Sequence, residues 1–175
     1  MTIALSAADI SRSLVRISHE ILEANPDSTA ITLLGIPTRG AHLAARVAQI
    51  MQEISGHEIA VGTLDITMHR DDLRMRPPRP IMPTSIPVQG VEDREVILVD
   101  DVLFSGRTIR AALDALGEIG RPRRVQLAVL VDRGHRQLPI RADFVGKNLP
   151  TSTAQSVKLH LTELDTVDEV LIEDI

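Results

Sequence analysis

The sequence predicts an α/β fold, a mostly parallel sheet flanked by helices, and three observations carry that prediction. Short apolar runs such as Val96 to Val99 and Leu127 to Val131 recur along the chain. Between them lie segments whose apolar residues follow helical spacing, beginning with Ile10, Leu14, Ile17 and Ile21. The joints are short, as in Asn25-Pro26-Asp27 and Ser105-Gly106. Strands apolar on both faces and alternating with helices belong to a parallel sheet covered on both sides.

The elements follow in order. Residues 7–24 read as a helix whose apolar stripe faces the core, with Arg12, Arg16 and His19 on another face. Asn25-Pro26-Asp27 ends it, because the residue before proline avoids helical geometry. Residues 30–36 form a buried strand, residues 37–40 a tight loop, and residues 41–54 an Ala-rich helix. Residues 58–68 read as a strand. Residues 69–87 differ in texture and hold five of the ten prolines. Residues 95–99 form a strand with Asp100 and Asp101 following its carboxyl end. After the Ser105-Gly106 turn, a helix opens at Arg107-Thr108 and runs through Ile109, Ala112, Leu113 and Leu116. Residues 125–131 are another buried strand, 144–149 and 157–161 are shorter ones, and 169–172 add an edge. Ligands in such sheets sit beyond the carboxyl ends of the strands. The loops at 37–40, 69–87, 100–108 and 132–136 are therefore expected to gather there. No internal repeat or second domain is visible, so residues 1–175 are read as one domain.

Composition narrows the function classes. The 175 residues contain no cysteine, which excludes a disulfide framework and thiolate chemistry. No signal peptide is apparent and no apolar run approaches the ~18 residues of a membrane span, so a cytoplasmic protein without membrane contact is expected. A net charge of −5 argues against nucleic acid at first sight. The charge is segregated, however. Residues 121–147 hold seven Lys or Arg against two acids, and residues 148–175 hold one lysine against six acids. A local basic surface fits on this acidic chain.

The chemistry concentrates in residues 96–108. A buried strand, a small-residue turn and a helix N-terminus make an anion site, because free N–H groups and the positive end of the helix dipole converge there. The acid pair beside it cannot take an anion, but it can accept hydrogen bonds from sugar hydroxyls or face a metal ion. A ribose 5-phosphate needs both features. The spacing Gly-x-x-x-x-Gly-Lys-Ser/Thr is absent, so this is not a Walker A loop. The competing reading is a strand ending in two solvated acids before an ordinary helix.

Residues 96–108 resemble the phosphoribosyl-diphosphate (PRPP) signature of the type I phosphoribosyltransferases. Gly35 to Gly40, Asp65-Ile66-Thr67 with Arg70-Asp71-Asp72-Leu73, and the run from Arg121 to Ser152 resemble the PyrR family across almost the whole chain. That family joins an RNA-binding regulator of pyrimidine genes to a uracil phosphoribosyltransferase. The resemblance implies the type I fold with a small hood and a flexible loop at about 69–87, and the conversion of uracil and PRPP to UMP and diphosphate.

The resemblance also implies roles for individual residues. Asp100, Asp101 and Arg39 are the catalytic candidates. The PRPP and nucleotide site takes in Thr38, Arg39, Gly40 and Arg70. It continues through Asp100, Asp101, Val102, Leu103, Phe104, Ser105, Gly106, Arg107 and Thr108. Asp100 and Asp101 take the ribose hydroxyls, and the 103–108 N–H groups take the 5-phosphate. The 38–40 loop receives diphosphate and carries a non-proline cis peptide in this superfamily. Mg²⁺ sits on the substrate oxygens with no direct protein ligand. Phe104 stands where purine enzymes carry a proton-exchanging aspartate, which favours a pyrimidine over a purine phosphoribosyltransferase.

Arg133, Phe144, Val145 and Lys147 are the base-binding candidates, with Phe144 equally readable as core. Arg12, Arg16, His19, Arg136, Arg141 and Lys147 are the candidate RNA face, with a solvated helix face as the alternative for the first three. Leader RNA of pyrimidine genes and UMP or UTP are the implied partners, on a homodimer or a tetramer. Two functions stay open: a regulator with catalysis, and a uracil salvage enzyme without RNA.

Overall fold

The computed structural model describes residues 1–72, 75 and 83–175. The middle of the proline-rich 69–87 stretch lies outside the described residues, and so does the expectation that it forms a loop closing over the site. Among the described residues, a five-stranded parallel sheet is built from β2 (Ile31–Gly35), β3 (Ala60–Thr63), β4 (Glu95–Leu103), β5 (Arg124–Asp132) and β6 (Phe144–Asn148), in the order β3-β2-β4-β5-β6. A smaller antiparallel sheet joins β1 (Thr2–Leu5), β7 (Gln155–His160) and β8 (Glu169–Asp174) in the order β1-β8-β7 and forms a hood. The helices are α1 (Ala7–Ala24), α2 (Arg39–Ser55) and α3 (Arg107–Ile119).

The apolar runs sort by alternation, since successive strand residues point to opposite faces. Ile97, Val99, Ala128 and Leu130 pack with α1 and α2, whereas Val96, Leu98, Leu127 and Val129 pack with α3. The sheet is thus sandwiched between helices. Each fully buried Leu or Ile contributes about 2 kcal/mol of transfer free energy. Helix α1 starts at a capping box in which Ser6 and Asp9 satisfy each other's backbone N–H groups. It buries Ile10, Leu14, Ile17 and Ile21, and ends where Asn25 Nδ2 donates to the Ile21 carbonyl at 2.9 Å, one residue before Pro26.

Several expectations are corrected. The 58–68 strand is only Ala60–Thr63, because the Asp65 carboxylate accepts from Thr67 N and Oγ1 and bends the chain into a 3₁₀ turn. Strand β4 continues through the acid pair to Leu103 rather than stopping before it. Helix α2 begins at Arg39, inside the expected loop. Strand β8 is central in the hood and not an edge, since β1 pairs along its other side. Strand β1 has no counterpart among the expected elements; it is four residues long, and two of them are exposed.

Candidate active site

The turn between β4 and α3 is built to leave backbone donors open. Gly106 caps α3 with φ +93°, a conformation that disfavours any side chain. A Cβ there would also lie 3.0 Å from the Ile140 side chain. The Ser105 carbonyl accepts from Gln137 N at 2.9 Å and Leu138 N at 3.2 Å, which pins the turn. Ser105 Oγ accepts from Arg107 N at 3.3 Å. Among the described residues, no side chain caps the N–H groups of Thr108 and Ile109, so the positive end of α3 faces open space. A cavity of about 580 Å³ lies over this turn. Its walls are Asp100 and residues 102–109 on one side, and Arg70, Asp71, Asp72, Met75 and Gln137 on the other.

Asp100 is only 7 % exposed, and its Oδ1 accepts from Asp101 N at 2.9 Å. Burial pushes its carboxyl well above the usual carboxylate range, and the neighbouring Asp101 charge pushes the same way. Asp101 Oδ1 accepts from Val102 N at 2.7 Å. No cation pairs with either acid among the described residues. Asp100 lines the cavity and half-buried Asp101 does not, while the adjacent Val102 and Leu103 both do, so strand alternation does not by itself decide access here.

The 37–40 loop lies against this acid. The Pro37–Thr38 peptide is cis, as the superfamily resemblance implied. A Cβ on Gly40 would meet the Val99 carbonyl at 2.5 Å and Asp100 Oδ1 at 3.4 Å, so only glycine lets the loop approach β4 this closely. Arg39 Nη2 donates to the Asp165 carboxylate at 3.2 and 3.4 Å, while its buried Nε has no partner among the described residues. Thr38 and Arg39 stand outside the cavity wall. Across the cavity, Arg70 pairs with Asp72 at 2.8 Å, and Arg107 bonds Asp71 at 2.7 Å and Gln137 at 2.9 Å.

Phe104 is 40 % exposed at the cavity wall. The Arg133 guanidinium lies 4.2 Å from its ring centroid, and His135 meets the ring edge-on at 6.1 Å. Arg133 is itself buried. Its Nε donates to Thr151 Oγ1 at 3.0 Å, and its Nη2 to the Ser152 and Gln155 carbonyls at 2.9 and 2.7 Å. It therefore braces Phe104 and the 151–155 segment.

The remaining candidates separate. Phe144 is 5 % exposed in the core beside α1 and α2, which corrects its assignment as a base contact: its side of β6 faces the helices. Val145 packs on the α3 side, and Lys147 is exposed. Arg16 donates to the Val145 and Gly146 carbonyls and pairs with Glu20, so it is anchored to β6. Arg12 pairs with Asp9 at 2.6 Å. Arg136 is tied inward to Asp132 and to the Phe104 and Ile140 carbonyls. His19, Arg141 and Lys147 are exposed.

Sequence reasoning missed Arg46, Glu163, Asp165 and Asp168. Arg46 bonds Glu163 at 2.5 and 2.7 Å and Asp168 at 2.6 and 3.0 Å, joining α2 to the turn after β7. The available signal was the seven-residue spacing of Arg39 and Arg46, two helical turns on one face, together with the acidic run near the carboxyl terminus. Among the described residues, no three His, Cys, Asp or Glu side chains are grouped to hold a metal ion. None of the described helices is long and apolar enough to cross a membrane.

Comparison with known proteins adds independent findings. Residues 3–162 match the family model described as "Phosphoribosyl transferase domain". A protein of Streptomyces coelicolor named "Bifunctional protein PyrR" is 62 % identical over 168 residues, covering 96 % of this chain and 87 % of its own. One of the same name from Mycobacterium tuberculosis is 57 % identical over 175 residues, covering 96 % and 91 %. Among solved structures, the hypoxanthine phosphoribosyltransferase of Trypanosoma cruzi superposes with a TM-score of 0.73 at 13 % identity, covering 99 % of this chain and 97 % of that one. One from Staphylococcus aureus gives 0.69 at 16 % identity, covering 97 % and 90 %. At such identities these structures speak for the fold alone.

Proposed function

The chain belongs to the PyrR family of phosphoribosyltransferases, and from that premise we propose that it makes UMP from uracil and PRPP and regulates pyrimidine genes by binding their leader RNA. The observation that carries the catalytic half is the N-terminus of α3, without a side-chain cap, beside an acid pair that has no cation partner among the described residues. The 5-phosphate takes the N–H groups of residues 103–108. Asp100 and Asp101 accept the ribose hydroxyls and hold negative charge near the positive charge that develops on the ribose. The bond from ribose C1 to uracil N1 forms as the bond from C1 to the diphosphate oxygen breaks, and the proton of uracil N1 leaves to water or to the departing diphosphate. Arg39 and the 38–40 backbone take the leaving diphosphate, and Arg70 reaches it from across the cavity.

Among the described residues the two neighbouring carboxylates have no third ligand grouped with them, which fits Mg²⁺ held mostly by substrate oxygens. That ion would neutralise the diphosphate charge. Phe104 cannot exchange a proton with a purine ring nitrogen, which supports a pyrimidine base. Arg133 acts on the base through the Phe104 ring, and the Val145 and Lys147 backbone reads the uracil edge.

Recognition of RNA falls to exposed cations on phosphate, since two phenylalanines offer little base stacking. His19, Arg141 and Lys147 are the best placed, and a homodimer, alone or paired into a tetramer, doubles the face they make. The engagement of Arg16 and Arg136 with backbone carbonyls favours the second reading, a salvage enzyme without RNA. Two experiments decide. A base screen with PRPP should give product with uracil and none with hypoxanthine, guanine or orotate. Leader RNA should bind more tightly with UMP than without it, because a nucleotide that favours the RNA-competent form shifts the population toward it. Equal affinity in both conditions removes the coupling.

A further inference from the structure

The turn after β7 reaches back to the first turns of α2 at two places. Arg46 grips Glu163 and Asp168, and Arg39 reaches Asp165. The two contacts differ in kind. Arg46 uses Nε, Nη1 and Nη2 and is fully engaged. Arg39 uses only Nη2, at 3.2 and 3.4 Å, and its Nε is buried without a partner among the described residues. An unmade hydrogen bond from a buried charged donor is costly, so Arg39, unlike Arg46, is left with donor capacity that its protein contacts do not use.

Asp165 is in turn fixed by its own turn. Its Oδ2 accepts from Leu161 N at 2.9 Å, and its N–H donates to the Leu161 carbonyl. It therefore offers Arg39 a fixed anchor, although the two residues are 126 positions apart. A free arginine side chain loses much rotamer freedom when it binds a ligand. An anchor on one terminal nitrogen removes part of that cost in advance and leaves the other donors for an oxyanion.

The geometry points to Asp165 as a positioning residue: it holds Arg39 by Nη2 so that the rest of the guanidinium stays placed for the diphosphate group. This rests on the assignment of residues 38–40 to diphosphate. It goes beyond that assignment by making a hood residue, remote in sequence, part of how PRPP is bound.

Steady-state kinetics and calorimetry with inorganic diphosphate test it on the full chain. Asp165→Asn should raise KM for PRPP and Kd for diphosphate about fivefold and leave kcat within about twofold, because ground-state binding is what is lost. Asp165→Glu should restore most of the affinity. Adding Asp165→Asn to Arg39→Ala should change nothing further, since the anchor acts only through Arg39. Asp168→Asn, which loosens the neighbouring grip of Arg46, should lower Tm and leave KM for PRPP unchanged. An unchanged or lower KM in Asp165→Asn, with KM raised in Arg39→Ala, makes Asp165 a bystander or a competitor and overturns the proposal. An equal rise in KM in Asp168→Asn also overturns it, because the effect is then hood docking. If Arg39→Ala itself leaves KM for PRPP unaltered, the diphosphate assignment of the 38–40 loop fails, and the role of Asp165 falls with it.

Discussion

Glu163 and Asp168 each face the guanidinium of Arg46, whereas Asp100 and Asp101 face no cation among the described residues. Both regions hold carboxylates close together, and their environments act in opposite directions. The Arg46 guanidinium holds the Asp168 carboxyl down at about 2. Burial holds the Asp100 carboxyl up. The first arrangement stabilises the fold. The second costs stability and leaves negative potential where a ligand can use it. The contrast separates residues that hold the hood in place from residues that are kept ready for chemistry.

The largest effect expected from this contrast is on catalysis. Asp101→Asn should cut UMP synthesis by about two to three orders of magnitude, as loss of electrostatic stabilisation typically does. An unchanged rate removes Asp101 from the site. Asp100→Asn should lose activity and yet raise Tm, because the amide keeps the acceptor for Asp101 N and sheds a buried charge. A lower Tm shows that Asp100 is not destabilising as an anion.

Next comes the hood. Arg46→Ala leaves Glu163 and Asp168 without their partner and should lower Tm by about 5 °C, roughly 2 kcal/mol in a domain of this size. A third effect follows from pH. The depressed carboxyl of Asp168 contributes stability above the unfolded value near 3.8, and that contribution is lost as pH falls toward about 2. The Tm gap between the parent and Arg46→Ala should therefore narrow as pH drops from about 4 to about 2. A constant gap assigns the effect of Arg46 to packing. The smallest effect concerns Phe104, where a cation rests on a ring. Phe104→Tyr keeps the face that Arg133 covers and should change KM for uracil by less than about twofold, whereas Phe104→Leu should raise it about threefold.

The legible parts of the molecule were those written in local pattern. The burial of Val96 to Val99 on two faces, the stripe of α1 and the Ser105-Gly106 turn need only neighbours in sequence, and they stand as expected. The hood was legible only in part. Strand β7 alternates and β8 carries a short apolar run, but β8 becomes central only because β1, at the other end of the chain, pairs with it. Arg39 was visible as a candidate, and its anchor was not, because nothing local links residues 39 and 165. Phe144 was ambiguous because one aromatic in a strand fits a core or a ligand equally well. The α1 and α2 packing decides it.

The contact of Arg16 with β6 has a consequence of another kind. Strand β6 ends the five-stranded sheet, and adjacent carbonyls in a strand point opposite ways, so one of the two that Arg16 engages faces the open edge. An unpaired edge is a template on which a second chain can add a strand. Arg16 takes up part of that template by occupying the carbonyl. Its removal should be felt first as turbidity in concentrated samples, before any change in the rate of UMP formation.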